Sequence, residues 1–393
     1  MKVYEIGTGY TPIPANIGAA TEIVVEELTK SMMKKGIDVS IVDIKAKDRL
    51  PNNLPIIEVP VPEKFTGTDV QLGLMHKLKR VVYSINLAFK LTRILKAEEE
   101  KVVLHFHNQY NMFFFLKLTP KSLRKKALLA YTVHSYIWDA KWENIKKTVN
   151  RKYFQEIECL KKADLIYALN DRSAKIFKDE LGVGPTKIVL IDNGVNTDVY
   201  HPLNEVEIEK AKNAYDLDGK RVFLQIGSVC DRKNQKGAIE LLKDLMQKNK
   251  SIYYVYAGGV IDENYQSEIS QLAKNYGIEE QVKYLGEVSP GKELNEIYNL
   301  ADAAIFPSKK EAFSLVIIES MSAGIPTITS SELRLVLDNV IRCNDAAKMK
   351  EILDKQSFGK SRKYLAEESR REIVEKYSWD KVAGDYLNSW ESK

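Results

Sequence analysis

The sequence has few of the residues that mark specialised classes of protein. Only three of its 393 residues are cysteine, at Cys159, Cys230 and Cys343, and no CxxC pair occurs. A disulfide framework and a zinc knuckle are therefore excluded. There are 20 glycines and 12 prolines, too few for a collagen-like or low-complexity chain. The length predicts two domains, each able to bury a core of its own.

Long apolar runs are also missing. No stretch approaches the roughly 18 consecutive apolar residues that cross a bilayer. The first ten residues, 1–10, lack the apolar segment of a secretory signal. We therefore expect a cytoplasmic protein, at most peripheral at the inner face of the membrane.

Positive charge is concentrated in one part of the chain. The net charge is +5, yet residues 71–130 hold twelve Lys and Arg against three Glu. A local excess indicates one anionic surface or ligand, and no nucleic-acid partner is expected. Basic residues beside exposed apolar ones suit anionic lipid headgroups, so region 72–126 is a candidate for peripheral membrane contact. The alternative is that Met112–Phe115 belongs to the core and the lysines are simply solvated. Six of the cations lie on a predicted helix, Leu72–Ala97: Lys77, Lys79, Arg80, Lys90, Arg93 and Lys96.

Short apolar runs alternate with amphipathic helical segments, which predicts βαβ units and parallel, doubly wound sheets. The first series of predicted strands is Val3–Ile6, Val39–Ile44, Val102–Phe106, Leu128–Val133, Leu165–Leu169 and Lys187–Ile191. The second series is Val222–Ile226, Tyr253–Ala257, Val282–Leu285, Ala303–Phe306 and Pro326–Thr329. Two series predict two Rossmann-like domains, 1–200 and 201–376, facing across a cleft, with the boundary near Asn196–Pro202. The apolar pattern of Tyr377–Trp390 predicts a final helix.

In such sheets ligands bind beyond the carboxyl ends of the strands. Gly7–Gly9 follows the first strand, but Pro12 stands where a dinucleotide fingerprint needs its third glycine, so a nicotinamide cofactor is not expected. Gly18 and Ala19 are small residues before a predicted helix. They either let backbone N–H groups approach an anion or serve helix packing.

Three histidines end two of the predicted strands. His105 and His107 flank Phe106, and the expectation is that they point to opposite sides and are poor joint metal ligands. His134 follows Leu128–Val133, where it is either a ligand contact or a satisfied structural group.

A loop after the strand Val222–Ile226 carries adjacent cations. Gly227 ends the strand, Ser228 follows, and Arg232 and Lys233 precede a predicted helix. Two cations in this position suit a phosphate ligand, and the alternative is a solvated pair.

Two carboxylates frame the segment that follows Ala303–Phe306. If Glu311–Glu319 were helical throughout, its two ends would lie roughly 12 Å apart along the axis. Glycosidase carboxylates lie at most about 9.5 Å apart, so these two cannot act on one bond. They could hold opposite ends of an elongated ligand such as a nucleotide sugar, with a helix N-terminus near Ser314 and Leu315 facing its anionic middle.

Taken together, these motifs resemble family-4 glycosyltransferases, which are retaining enzymes of the GT-B fold. Glu311–Glu319 matches the E-x7-E signature, and Gly18–Ala19 is similar to the first glycine loop. Gly227–Asn234 is similar to the family's G-R-L-x-x-x-K-N segment, except that Ser228 stands where an Arg is usual. Asp192–Asn196 resembles the inter-domain segment, and Tyr377–Trp379 resembles the start of the helix that returns to the first domain, here 377–393.

The resemblance implies a role for each matching residue. Glu311 would lie beside the donor sugar, Glu319 would accept hydrogen bonds from the ribose, and His134 would contact the transferred sugar. Lys233 would bind the diphosphate together with backbone N–H groups of Ser314 and Leu315, and Arg232 would compensate for Ser228. The donor-binding set is completed by Phe313, Val288, Gly18 and Ala19.

The sequence therefore predicts transfer of a sugar from a nucleoside-diphosphate sugar to a glycan or lipid-linked acceptor hydroxyl, in cell-surface glycan or glycolipid synthesis. Neither a metal nor a cofactor is expected besides the donor, because the charged loop can stabilise the leaving diphosphate. Two alternatives stay open: a nucleotide-sugar epimerase of the same architecture, and a sugar-nucleotide-binding subunit without turnover.

Overall fold

The computed structural model describes residues 1–15, 19–67, 74–309, 313–330, 337–338, 340–342 and 358–393. The chain divides into two compact units. The first comprises Met1–Gly194 and Trp379–Lys393, and the second comprises Val195–Ser378. These limits lie a few residues from the predicted boundaries at 200 and 377, so the Asn196–Pro202 segment belongs to the second unit.

The first unit contains a seven-stranded parallel sheet with the order β3-β2-β1-β4-β5-β6-β7. Its strands are β1 Lys2–Ile6, β2 Asp38–Ile44, β3 Ile56–Val59, β4 Val102–Phe106, β5 Ala127–Val133, β6 Leu165–Ala168 and β7 Ile188–Leu190. Its helices up to residue 194 are α1 Ala20–Lys34, α2 Leu74–Ala97, α3 Gln109–Leu118, α4 Lys121–Arg124, α5 Trp142–Lys152, α6 Phe154–Lys162 and α7 Asp171–Asp179. The register of β1 and β4 sets Glu5 opposite His105.

The second unit contains a parallel sheet with the order β10-β9-β8-β11-β12-β13. Its strands are β8 Arg221–Ile226, β9 Ile252–Ala257, β10 Val282–Tyr284, β11 Ala303–Phe306, β12 Thr327–Thr329 and β13 Ile341–Arg342. Its helices are α8 Glu205–Ala214, α9 Gln235–Lys248, α10 Glu263–Asn275, α11 Lys292–Asn299, α12 Leu315–Ser322 and α13 Phe358–Tyr377.

Both sheets reverse their strand order at the first strand of the unit. In the first sheet β2 and β4 flank β1, and in the second β9 and β11 flank β8. The predicted doubly wound parallel sheets are thereby confirmed. Ligands of such sheets bind beyond the carboxyl ends of the strands where the order reverses. The loops after β1 and β4, and those after β8 and β11, are therefore where a site is expected.

Helix packing follows the apolar spacing of the sequence. On α2, Tyr83, Leu87, Leu91 and Leu95 recur every fourth residue, and all four are buried. This spacing places them on one face of the helix, which covers the sheet of the first unit.

The final helix, α14 (Trp379–Glu391), belongs to the first unit. Its predicted apolar face is buried, and Asp380 accepts a hydrogen bond from Ser31 of α1 at 2.6 Å. Tyr386 lies 3.1 Å from the hydroxyl of Thr132 on β5. The C-terminal helix is thus part of the core that surrounds β4, β5 and β6.

In the basic region the structure supports the alternative that Met112–Phe115 belongs to the core, but one of the lysines is not solvated. Lys79 is buried, and its ammonium donates to the carbonyl oxygens of Tyr10 and Gly67 at 3.1 and 2.8 Å. Met112 and Phe115 are core residues of α3, a helix that the sequence analysis did not identify. In the part of the chain that the structure describes, no helix combines the length and apolarity that crossing a membrane requires.

Candidate functional site

The loop after β8 folds the side chain of Lys233 back over the end of the strand. Gln225 of β8 donates to the Lys233 carbonyl at 2.8 Å, and the Lys233 N–H donates to the carbonyl of Cys230 at 3.0 Å. A Cβ atom at Gly227 would lie 3.2 Å from Cε of Lys233. Lys233 is buried, so its charge is directed into the unit rather than into bulk solvent.

The loop after β11 is fixed to the same loop. The N–H of Lys309 donates to the Arg232 carbonyl at 2.9 Å, and the Asn234 amide donates to the Pro307 carbonyl at 3.0 Å. Lys309 also forms an ion pair with Asp231 at 2.6 Å. In their described residues, the two loops that flank the point where the strand order reverses are thus joined into one surface by hydrogen bonds and an ion pair.

Glycines let two further loops join this surface. Gly258, after β9, has φ +141°, and a Cβ atom there would lie 2.3 Å from the carbonyl oxygen of Gly227. Its N–H donates to the carbonyl of Gly286, after β10, at 2.8 Å. Val288 follows on the same loop, half-buried against the core. No side chain other than hydrogen fits at Gly258 without moving the loops apart.

Helix α12 begins at Leu315, as predicted, with buried Ser314 as its N-cap. The first N–H groups of a helix have no partner within it and can face an anion, although here the N–H of Ile317 already donates to the Ser314 carbonyl at 3.2 Å. Phe313, half-buried, contacts Tyr377 with ring centroids 6.2 Å apart. Residues 313 and 314 are not helical, so the separation of roughly 12 Å, which holds for a helix throughout Glu311–Glu319, stays a prediction. Glu311 itself lies outside the described residues.

Glu319 is buried on α12 and accepts a hydrogen bond from the hydroxyl of Tyr298 at 2.8 Å. Burial raises the pKa of this carboxyl to about 7, although the Tyr298 hydrogen bond and the charge of Lys233 act in the opposite direction. The structure thus brings Glu319 and Lys233 within electrostatic reach of each other. A carboxyl with this pKa changes its charge near neutral pH.

The two remaining predicted residues of the β8 loop have limited exposure. The Ser228 carbonyl accepts a hydrogen bond from the Gln235 amide at 3.0 Å, which ties the loop to the first turn of α9. Arg232 is half-buried.

In the first unit, His134 is joined to two residues that the sequence analysis did not assign to the site. Its Nε2 lies 3.0 Å from Nδ1 of His107, and Nε2 of His107 lies 2.8 Å from Oε2 of Glu5. Glu5 also pairs with Nδ1 of His105 at 3.0 Å. The expectation that His105 and His107 point to opposite sides was wrong, because residues two apart on a strand share a face.

Glu5, His105 and His107 are fully or almost fully buried, and their ligand atoms lie within 4.8 Å of one another. Such a set could hold a metal ion. However, every ring nitrogen of the two histidines already has a hydrogen-bond partner, since Nε2 of His105 lies 2.8 Å from the hydroxyl of Thr132. The cluster is therefore complete as a hydrogen-bonded network.

The loop after β1 is hydrogen-bonded to another buried acid. Glu22, in the first turn of α1, accepts a hydrogen bond from the hydroxyl of Thr8, and burial raises its pKa to about 7. Ala19 is the N-cap of α1, as expected of a residue just before the helix, whereas Gly18 lies outside the described residues. Close packing accounts for glycine at position 7, because a Cβ atom there would lie 2.3 Å from the buried carboxylate of Asp43.

Comparison with known proteins covers most of the chain. Residues 21–199 match the family described as Glycosyltransferase Family 4, and residues 207–376 match the family described as Glycosyl transferases group 1. The D-inositol 3-phosphate glycosyltransferase of Corynebacterium aurimucosum is 24% identical over 213 residues, which are 52% of this chain and 50% of that protein. The alpha-galactosylglucosyldiacylglycerol synthase of Streptococcus pneumoniae is 28% identical over 224 residues, 54% of this chain and 57% of that protein. The chain thus spans about half the length of the curated relatives it matches.

Among solved structures, HepE of Anabaena in complex with UDP-glucose is similar over the full length of both chains. The TM-score is 0.71 at 14% sequence identity. At this identity the likeness concerns the fold.

Proposed function

This chain belongs to the family-4 glycosyltransferases and has their GT-B fold, and we propose that it is a retaining, metal-independent hexosyltransferase that uses a nucleoside-diphosphate sugar. The observation that carries the proposal is that the loops after β8 and β11 are hydrogen-bonded to each other, and that Lys233 lies within electrostatic reach of Glu319 on α12. The binding of UDP-glucose by HepE supports a donor of this class.

The proposed residue roles follow from where negative charge develops in the transition state. As the glycosidic bond breaks, the leaving diphosphate gains negative charge, and groups fixed in advance around it stabilise the transition state. Lys233 and Arg232 supply positive charge, and Ser314 and Leu315 supply backbone N–H groups. Glu319 accepts hydrogen bonds from the ribose hydroxyls.

Two further contacts rest on the resemblance. Val288 reads the base through its main chain, and its loop is held in place by the Gly258–Gly286 hydrogen bond. His134 contacts the transferred sugar, as does Glu311, which lies outside the described residues.

The test compares Lys233→Ala with Lys236→Ala in a transfer and hydrolysis assay with UDP-glucose. We expect turnover to fall about 10²–10³-fold in Lys233→Ala, the usual cost of losing one such electrostatic contact. Lys236 is a matched control on the same segment, since its ammonium pairs with Glu268 instead. Wild-type turnover by Lys233→Ala would contradict the leaving-group role.

The same assay separates the alternatives. An epimerase would interconvert the nucleotide sugar with no acceptor present, and a binding subunit would bind it without any turnover. Transfer to an added acceptor with retention at the anomeric carbon supports the proposal over both.

We also propose that the acceptor is a glycan or lipid-linked hydroxyl, reached from an anionic membrane surface by α2, within region 72–126. Leu74, Met75, Leu78 and Phe89 are exposed on this helix, and the basic residues Lys77, Arg93 and Lys96 are exposed beside them. Apolar side chains flanked by cations match the chemistry of an anionic lipid surface.

Co-sedimentation with vesicles tests the membrane contact. We expect binding to vesicles with anionic lipid at low salt, weaker binding for Leu74→Ser combined with Leu78→Ser, and no binding to neutral vesicles. The proposal is contradicted if the same amount of wild-type protein sediments with and without anionic vesicles.

A further inference from the structure

One of the two ring nitrogens of His134, Nε2, is hydrogen-bonded within the protein. Its Nε2 faces Nδ1 of His107 at 3.0 Å, and His107 in turn faces Glu5 at 2.8 Å. The three residues come from the loops after β5 and β4 and from β1, so the sheet itself fixes their spacing. The direction of the hydrogen bonds from Glu5 through His107 to His134 determines whether the other ring nitrogen of His134, Nδ1, donates or accepts a hydrogen bond.

The ionisation state of Glu5 determines the direction of its hydrogen bonds with His105 and His107. The two histidine partners of this carboxyl outweigh the opposing effect of its burial and lower its pKa to about 2, so it is ionised at neutral pH. An ionised carboxylate only accepts hydrogen bonds. Both His105, through Nδ1, and His107, through Nε2, must therefore donate to it.

The proton on Nε2 of His107 in turn determines whether its Nδ1 donates or accepts. Burial lowers its pKa to about 4, and the nearby His105 acts in the same direction, so the ring is neutral at pH 7. A neutral imidazole that carries its proton on Nε2 has a lone pair on Nδ1. The partner of Nδ1 is Nε2 of His134, which must then be the donor.

We propose that Glu5 and His107 are positioning residues that hold His134 as its Nε2–H tautomer, with Nδ1 presented as a hydrogen-bond acceptor for a hydroxyl of the transferred sugar. The inference rests on the proposed function for the identity of the ligand but not for the tautomer. It assigns a donor group, a sugar hydroxyl, to the position opposite Nδ1. An anionic oxygen, which has no proton to donate, is disfavoured there.

The tautomer can be read directly by long-range ¹H–¹⁵N correlation spectra of the chain labelled at histidine. The sequence has only five histidines, so single substitutions can assign the signals. We expect an unprotonated Nδ1 and a protonated Nε2 for His134 in the free protein. We further expect UDP-glucose to shift the Nδ1 resonance, and UDP alone, which lacks the sugar, to leave it in place. A protonated Nδ1 on His134 overturns the inference, whether or not the protein proves to be a transferase.

Substitutions at His107 test whether the chain of hydrogen bonds sets this state. In His107→Gln the amide nitrogen can donate to Glu5 and the amide oxygen can accept from His134, so the tautomer and turnover should be retained. In His107→Leu the acceptor is lost, and we expect mixed tautomers and turnover lowered about fivefold with unchanged affinity for UDP.

Tyr386→Phe is the matched control. It removes a hydroxyl 3.1 Å from Thr132, which contacts His105 and so lies on the other side of Glu5 from His107 and His134. We expect this variant to keep the His134 tautomer and wild-type turnover. If Tyr386→Phe and His107→Leu have equal effects, the cluster is merely structural and the inference fails. Should His107→Leu not fold, the wild-type spectrum and His107→Gln decide the question.

Discussion

The pKa of Glu319 predicts how nucleotide binding changes with pH. In the proposed function Glu319 accepts hydrogen bonds from the ribose hydroxyls, and an ionised carboxylate accepts hydrogen bonds more strongly than a protonated one. With a pKa of about 7, about a tenth of the protein is ionised at pH 6 and about nine tenths at pH 8. If only the ionised form binds well, the affinity for UDP rises about tenfold over this interval. The sign follows because the raised pKa leaves the group protonated below pH 7, and binding then has to release a proton.

Calorimetric titration with UDP between pH 6 and pH 8 measures this dependence. The terminal phosphate of UDP also titrates near pH 6, and Glu319→Gln separates the two effects. Its amide oxygen still accepts hydrogen bonds but does not ionise, so only the contribution of the phosphate should remain. Tyr298→Phe removes a hydrogen bond that lowers the pKa of Glu319, so its midpoint should move to higher pH.

Two results would refute this reasoning. Identical pH profiles for the wild type and Glu319→Gln would show that the carboxyl does not take part in binding. A UDP analogue without the ribose 2′ and 3′ hydroxyls should lose the Glu319 component, and its persistence would show that Glu319 acts on another part of the nucleotide.

Two further predictions concern stability. Gly258→Ala should destabilise the protein by about 1–3 kcal/mol more than Gly277→Ala in urea unfolding. Both glycines have positive φ, but of the two only Gly258 would bring a Cβ atom against a backbone oxygen, that of Gly227. Equal losses of stability in the two variants would contradict this close approach. Acidification from pH 7 to pH 4 should cost about 3 kcal/mol through His107, since its pKa of about 4 lies below its ordinary 6.5 and the unfolded chain binds the proton first. The ionised Glu5 adds a further loss below pH 4.5, and an acid profile unaltered in His107→Gln would refute the assignment to His107.

The alternation of strands and helices was predictable because most residues of each central strand are apolar. The edge strands β3 and β13 were missed for a physical reason. Ile56–Val59 lies between prolines and is only partly buried, and Ile341–Arg342 has two residues, so neither gives a strong pattern.

The candidate site was predictable where a loop follows a strand and carries charge, as at Lys233. It was not predictable where a polar group lies within an apolar run. Glu5, in the buried strand Lys2–Ile6, was a signal that sequence analysis left unused, since a buried carboxylate requires partners. Its partners are separated from it by about 100 residues in the chain, and only the pairing of β1 with β4 brings them together.

The chain enters and leaves its second unit at neighbouring points. The N–H of Val195 donates to the carbonyl of Tyr377 at 2.8 Å, so the two ends of that unit touch. A segment with adjoining ends can be exchanged as a cassette, and its termini can be joined by a short linker. A chimera that replaces Val195–Ser378 with the matching segment of a relative would thus exchange the whole second unit without cutting either hydrophobic core.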